Sequence, residues 1–384
     1  MNIAKAAYCR VYQSAFRAAL PVLPYREPEA LASVLDIPKK LKQLGLRSAL
    51  LVTDPSIRSL GLTKPLEDAM SEQGLGCPVY DGTAANPTVA NVEAALALYK
   101  AGDCQALIGF GGGSAMDCAK AVGARLAWPG RSVRNLGGNL RIWKKGAPLF
   151  AVPTTAGTGS EVTQVSVVSH GSEKRTINNP VFMPKVAIVD PVLSSTVPPR
   201  TTMNTGLDAL AHALEGYWSK NHQPISDLMA IEAGRTILAN LETAYTDGTN
   251  MEARANMAYA SLLGGLSFAL PKTAGCHACS YPLSEDYHLP HGEACAFTLD
   301  SFVRINADER LELLCRRVGL SGTEELAEKI AALKQLAGLR SRLSDLGQVD
   351  LDKLAHDCAV HGLMANNPVP MDEKALRAMF EKLA

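Results

Sequence analysis

Cys104-Gln-Ala-Leu-Ile-Gly-Phe110 runs directly into Gly111-Gly-Gly-Ser114 and then into a helical pattern over residues 115–127. A short run that is apolar from Ala106 to Phe110 suits a strand buried on both faces, and a strand that ends on glycines and opens a helix begins a βαβ unit. Bare amides and a helix N-terminus then face whatever lies above the sheet, which suits a pyrophosphate as well as a plain tight turn. The stretch is not Gly-x-Gly-x-x-Gly, since Ser114, Ala115 and Met116 follow the glycines, and it lacks the Gly-Lys-Ser/Thr of a phosphate-binding loop.

Working outward, further buried strands are expected at residues 48–53, 76–80, 148–152 and 185–189, with helices at 63–73 and 89–100 between them. That alternation predicts an α/β domain, a parallel sheet with helices on both faces, whose ligands bind beyond the carboxyl ends of the strands. Two of those ends carry polar groups. Asp54 closes the first strand, where a carboxylate can accept from an adenosine ribose or simply cap the next helix. Pro153-Thr154-Thr155-Ala156-Gly157-Thr158-Gly159-Ser160-Glu161-Val162-Thr163 follows another, with hydroxyls that suit ribose or amide groups or an ordinary polar turn.

From about Thr201 the chain reads as successive helices, at 205–219, 224–245, 251–269, 307–317, 322–337 and 372–383. The Val197-Pro198-Pro199-Arg200 turn marks the boundary, giving an α/β domain over 1–198 and an all-helical domain over 199–384. In Asn204-Thr-Gly-Leu-Asp208-Ala-Leu-Ala-His212-Ala-Leu-Glu-Gly216, Asp208 and His212 lie within roughly 40° of each other on one helix flank and can reach one ion. Thr205-x-x-Asp208 also reads as a capping box, which would spend the carboxylate on backbone amides. Two donors hold a divalent cation weakly, and His277, His288 and His291 cluster downstream as candidates for the rest.

Composition sets limits. With 38 basic and 38 acidic side chains in 384 residues, the formal charge of zero offers no footprint for nucleic acid or an anionic membrane. Small molecules or a second copy are the expected partners. Nine scattered cysteines suit buried thiols in a reducing cytoplasm, and Cys276-x-x-Cys279 has no second pair with which to build a four-cysteine zinc site. Residues 1–23 read as an amphipathic helix interrupted by Lys5, Arg10 and Arg17, without the unbroken apolar run of a signal peptide, and no membrane span is expected.

Four motifs in order resemble one family. Gly111-Gly-Gly-Ser-x-x-Asp117, Pro153-Thr-Thr-x-Gly-Thr-x-Ser-Glu161, Gly206-x-Asp-Ala-Leu-x-His-Ala-x-Glu215 and Pro290-His-Gly292 look like the iron-containing (group III) alcohol dehydrogenases. The resemblance implies a Rossmann-like nucleotide domain, a helical domain holding Fe²⁺ or Zn²⁺, a nicotinamide cofactor and a homodimer; a carboxylate at Asp54 disfavours a 2′-phosphate by like charge, so NAD is expected in preference to NADP. It carries Asp208, His212, His277 and His291 onto the metal-ligand positions. Asp54, Asn86, Gly112, Gly113, Ser114, Asp117, Thr154, Thr155, Thr158, Thr163, Lys174 and Leu193 fall on the dinucleotide site.

Relatives commonly carry a second histidine four residues after the third ligand, facing the nicotinamide; here that position is Tyr281. We expect Tyr281 to shape the pocket, because a phenol with a reference pKa of about 10 is poorly matched to proton exchange near neutrality. The activity implied is hydride transfer between nicotinamide and an alcohol or aldehyde carbon, eased by a divalent ion that stabilises negative charge on the oxygen. A lyase resembling dehydroquinate synthase and a non-catalytic nucleotide sensor are the alternatives. The first calls for several basic residues to hold a polyanion, and few lie near the ligand motifs.

Overall fold

The computed structural model describes residues 27–384 apart from 137, 140–143, 145, 171–172 and 180–181. The helix expected over 1–23 lies outside the described residues. Two compact units divide at the 196/197 bond, with the described residues up to 196 in one and residues 197–384 in the other.

In the first unit the strands are β1 (Glu29–Leu31), β2 (Ala49–Val52), β3 (Val79–Tyr80), β4 (Ala106–Gly111), β5 (Gly138–Asn139), β6 (Leu149–Pro153), β7 (Val165–His170), β8 (Glu173–Asn178) and β9 (Val186–Ile188). The main sheet has the order β1-β9-β6-β4-β2-β3, and every pairing in it is parallel. Helices α1 (Ile37–Gln43), α2 (Pro55–Ser59), α3 (Lys64–Glu72), α4 (Val89–Ala101) and α5 (Gly113–Ala127) connect the strands. Alternate side chains divide between two cores. Leu50, Val52 and Leu107 pack with Val92, Leu96 and Val122 of α4 and α5, while Leu51, Ile108 and Phe110 pack with Ile37, Leu41, Leu66 and Met70 of α1 and α3. The sheet is therefore covered on both faces, which is why its strands read as unbroken apolar runs.

Two pieces of this unit go beyond the expectation. β1 adds an edge strand paired with β9, and β7 and β8 form an antiparallel hairpin that joins β5 in a separate three-stranded sheet. The expected strand over 76–80 shortens to β3, although Gly76 still bridges Ser48.

The second unit is helical: α6 (Pro199–Trp218), α7 (Pro224–Thr246), α8 (Met251–Ala269), α9 (Gly275–Asp286), α10 (His291–Ile305), α11 (Glu309–Arg317), α12 (Thr323–Leu336), α13 (Leu351–Val360) and α14 (Glu373–Glu381). α6 starts six residues before the expected 205, because Pro199 occupies the first helical position, where its missing N–H costs nothing. Thr205 is then interior, with its hydroxyl donating to the Thr201 carbonyl at 2.9 Å. The capping-box reading of Thr205 and Asp208 therefore falls. Among the described residues, no helix is long and apolar enough to cross a membrane.

Candidate functional site

α6 presents Asp208, His212 and Glu215 on one buried face, at intervals of four and three residues. Glu215 reaches the start of α9, where its Oε1 accepts from the backbone N–H of Cys276 at 2.6 Å and of His277 at 3.3 Å. Its Oε2 holds His277 Nδ1. A carboxylate from another helix thus caps α9 and fixes the His277 ring with Nε2 turned inward. α10 opens at His291, directly after Pro290. A Cβ on Gly292 would fall 2.2 Å from the Asn204 carbonyl oxygen, so only glycine lets the first turn of α10 lie this close to α6.

The result is a convergence on one oxygen. Asp208 Oδ1 lies 4.0 Å from His212 Nε2, 3.6 Å from His277 Nε2 and 3.9 Å from His291 Nε2, and the Nε2 atoms of His212 and His277 are 3.0 Å apart. That Oδ1 is buried and has no hydrogen-bond partner. Cys295, one turn along α10, brings Sγ to 3.8 Å from His291 Nε2, and donor atoms of Asp208, His277, His291 and Cys295 all lie within 4.8 Å of one another. The His212 ring stacks on Phe268 with centroids 4.2 Å apart and on His277 at 4.6 Å. His291 is the open side, with 53% of its side chain exposed.

The electrostatics are those of a cation site. Burial raises the Asp208 carboxyl, but His212, His291 and His277 outweigh it and hold the group below its usual range. Burial likewise raises the Cys295 thiol, and His277 and His291 bring it below its ordinary value. Cys295 first, and then Asp208, push His291 up to about 9. Imidazole nitrogens, a carboxylate and a thiol around an orphaned buried oxygen fit Fe²⁺ or Zn²⁺.

Tyr281 follows His277 by one turn of α9 and stacks on the His361 ring, centroids 4.4 Å apart at an interplanar angle of 24°. His288 is exposed, past the end of α9, with φ 55.

In the sheet unit the candidate residues divide into two groups. Asp54, Gly111–Ser114, Thr154, Thr155 and Thr158 gather at the carboxyl ends of neighbouring strands β2, β4 and β6. Asp54 uses Oδ1 as a helix cap, accepting from Ser56 N at 2.9 Å and Ile57 N at 3.0 Å, while Oδ2 faces Gly111, which has φ 149. Gly112 caps α5 with open space where a side chain would stand. Ser114 Oγ donates to the Ala85 carbonyl, beside the exposed Asn86.

The other group supports these turns. Asp117 accepts from Ser160 Oγ at 3.1 Å and from Val167 N at 2.9 Å. Buried Lys120 ties Ser160, Thr163 and Val165 together, donating to Thr163 Oγ1 at 3.1 Å. Leu193 is buried in the core, and Lys174 stands on β8 opposite Ser169. Sequence reasoning passed over Glu215, Cys295, Phe268, Lys120 and His361. Only Glu215 had a signal in the sequence, its place on the helix face shared by Asp208 and His212.

Sequence profiles of two halves of one family cover the chain, "Iron-containing alcohol dehydrogenase" over residues 30–191 and "Fe-containing alcohol dehydrogenase family, C-terminal" over 202–384. The chain belongs to the iron-containing alcohol dehydrogenase family. It is 36% identical to the long-chain-alcohol dehydrogenase 1 of Geobacillus thermodenitrificans, over 89% of this chain and 91% of that one. It is 34% identical to the NAD-dependent methanol dehydrogenase of Bacillus methanolicus, over 88% and 92%. Among solved structures, sulfoacetaldehyde reductase from Bifidobacterium kashiwanohense in complex with NAD+ superposes with a TM-score of 0.89 at 37% identity, over 94% of this chain and 98% of that one. The protein is a metal-dependent, NAD(P)-linked alcohol dehydrogenase acting on the CH–OH group of a small molecule, and the lyase reading is not favoured.

Proposed function

We propose that Asp208, His212, His277 and His291 hold one divalent ion in the helical domain, 199–384, and that the carboxyl ends of β2, β4 and β6 in the α/β domain, 1–198, bind NAD(H) in preference to NADP(H). The observation that carries this reading is the buried, unpartnered Asp208 Oδ1 with three imidazole nitrogens around it. Fe²⁺ is the ion after which the family is named, and Zn²⁺ suits the same donors.

When bound, the ion polarises an aldehyde oxygen or stabilises negative charge on an alcohol oxygen. The chain's own residues set the conditions for hydride transfer. Glu215 keeps His277 in one orientation by engaging Nδ1, so that Nε2 is the nitrogen offered to the centre. Phe268 covers one face of His212 and keeps water from that side of the centre. The glycine amides at the head of α5 suit the pyrophosphate, and the Asp54 carboxylate would repel a 2′-phosphate by like charge. Tyr281 forms pocket wall. We further read the protein as a cytoplasmic homodimer, the compartment supported by the free thiols among the described cysteines.

The test is metal analysis of the His277→Ala/His291→Ala double variant. Bound metal should fall to background and turnover by at least about 10³-fold, since Lewis-acid help of several kcal/mol is lost. Unchanged metal content and turnover would overturn the assignment.

A further inference from the structure

α10 repeats the arrangement of α6. Asp208 and His212 stand four residues apart on α6, and His291 and Cys295 stand four residues apart on α10, so each helix offers two donors from one face. The two faces meet where glycine lets the helices approach: a Cβ on Gly292 would lie 3.3 Å from Asp208 Cβ as well as 2.2 Å from the Asn204 carbonyl oxygen. The close approach of the two helices therefore carries Cys295, one turn beyond His291, toward Asp208. The ligand set proposed above uses three of these four positions and leaves the thiol out.

Cys295 is fully buried. Cys104 and Cys118 are buried too, but both lie within the apolar core of the sheet unit. Cys295 Sγ instead faces nitrogen, 3.8 Å from His291 Nε2, and belongs with Asp208, His277 and His291 to a set of donor atoms no more than 4.8 Å apart. Two donors on one ion stand at most about 4.6 Å apart, twice a Zn–S bond of about 2.3 Å. The observed spread exceeds that limit by at most a few tenths of an ångström, which a small side-chain rotation supplies.

A second observation points to an ion at the same place. The buried Asp208 Oδ1 has no hydrogen-bond partner, although three imidazoles surround it. A cation satisfies what these side chains leave open.

We propose that Cys295 is itself a ligand of the divalent ion, a thiolate donor added to Asp208, His212, His277 and His291. This deepens the metal-dependent reading above and rests on it. On binding, the S–H bond breaks, the metal–sulfur bond forms and the proton passes to bulk water, with no change of oxidation state. The thiolate also changes which ion the centre prefers. Carboxylate suits Mn²⁺ and imidazole suits Zn²⁺ and iron, whereas a sulfur donor tips the balance further toward Zn²⁺.

The full-length protein is to be loaded with Zn²⁺ for X-ray absorption and with Co²⁺ for electronic absorption. The wild type should show a sulfur shell at about 2.3 Å beside nitrogen and oxygen at about 2.0–2.2 Å, and the Co²⁺ form a near-ultraviolet thiolate-to-cobalt band. Cys295→Ala should lose both signals while still binding an ion through the remaining donors. Its Zn²⁺ affinity should fall at least about tenfold in chelator competition, and its Mn²⁺ affinity by less. Cys295→Ser, closer in size and without sulfur, gives the same reading should the alanine variant lose its fold. A wild-type ion surrounded by nitrogen and oxygen alone overturns the inference and leaves the dehydrogenase reading standing. So does a sulfur shell that persists in Cys295→Ser, since another thiol would then supply it. A wild type that retains no stoichiometric metal overturns both.

Discussion

The two units use their polar side chains in opposite ways. At the strand ends of the sheet unit, Asp54, Asp117, Lys120 and Ser160 spend their hydrogen bonds on backbone and on one another, and what they leave is half-buried main chain at Gly112 and Gly113. At the helix ends of the second unit the main chain packs inward at Gly292, and side-chain atoms from α6, α9 and α10 are left facing a common point. A surface built from backbone amides depends on whether its turns hold. A centre built from side chains depends on the orientation of single rings.

The sharpest way to break that contrast is Glu215→Gln. An amide keeps the size of the carboxylate but cannot both accept from the α9 amides and hold the imidazole as an anion does. Metal affinity should fall about 10- to 100-fold, the usual effect of losing a partner that orients a ligand, as read by competition with a chelator. Unaltered affinity would show that α9 holds His277 unaided.

In the sheet unit the corresponding probe is Glu161, buried beside Lys120, with one carboxylate oxygen lacking a hydrogen-bond partner. Burial raises this carboxyl from 4.5 to about 7, with Lys120 opposing. A folded value above the unfolded one means that the group's stabilisation is full below pH 4.5 and is lost as pH rises through about 7. Glutamine does not titrate. The stability of Glu161→Gln relative to the wild type should therefore rise by up to about 3 kcal/mol between pH 4.5 and 8 in denaturant titrations. A pH-independent difference would mean that Glu161 is not buried as a titrating group.

The motif spacings made the parallel sheet readable because a strand covered on both faces must be apolar at every position, as 49–52 and 106–111 are. The β7–β8 hairpin escaped because Val165-Ser-Val-Val-Ser-His170 mixes polar and apolar residues and its partner strand is largely charged and polar. α9 and α10 escaped for a different reason. Gly275, Pro282 and Gly292 all argue locally against helix, and the group that caps α9 comes from Glu215, sixty residues earlier. Candidate ligand types could be read from the sequence, but not their convergence or the thiol of Cys295.

A smaller effect is expected at Asp54. Asp54→Asn can still cap α2 but carries no charge, so the preference for NAD(H) over NADP(H) should narrow several-fold, as befits a half-exposed carboxylate. Equal use of both cofactors by the wild type would remove the assigned role. The smallest effect belongs to Tyr281→Phe, which keeps the ring stacked on His361. Turnover should stay within a few-fold with its pH profile in place; a loss of about 10²-fold with a shifted limb would make the phenol a proton-transfer group.

The carboxylate of Glu215 also bears on the order in which the holoprotein is assembled. Because protein hydrogen bonds already tie the first turn of α9 and the ring of His277 to α6, the pocket does not have to fold around its ion. A receptor formed in advance from imidazole and carboxylate accepts several divalent ions, so the ion it carries in the cell depends on which metal is supplied as well as on the donors themselves.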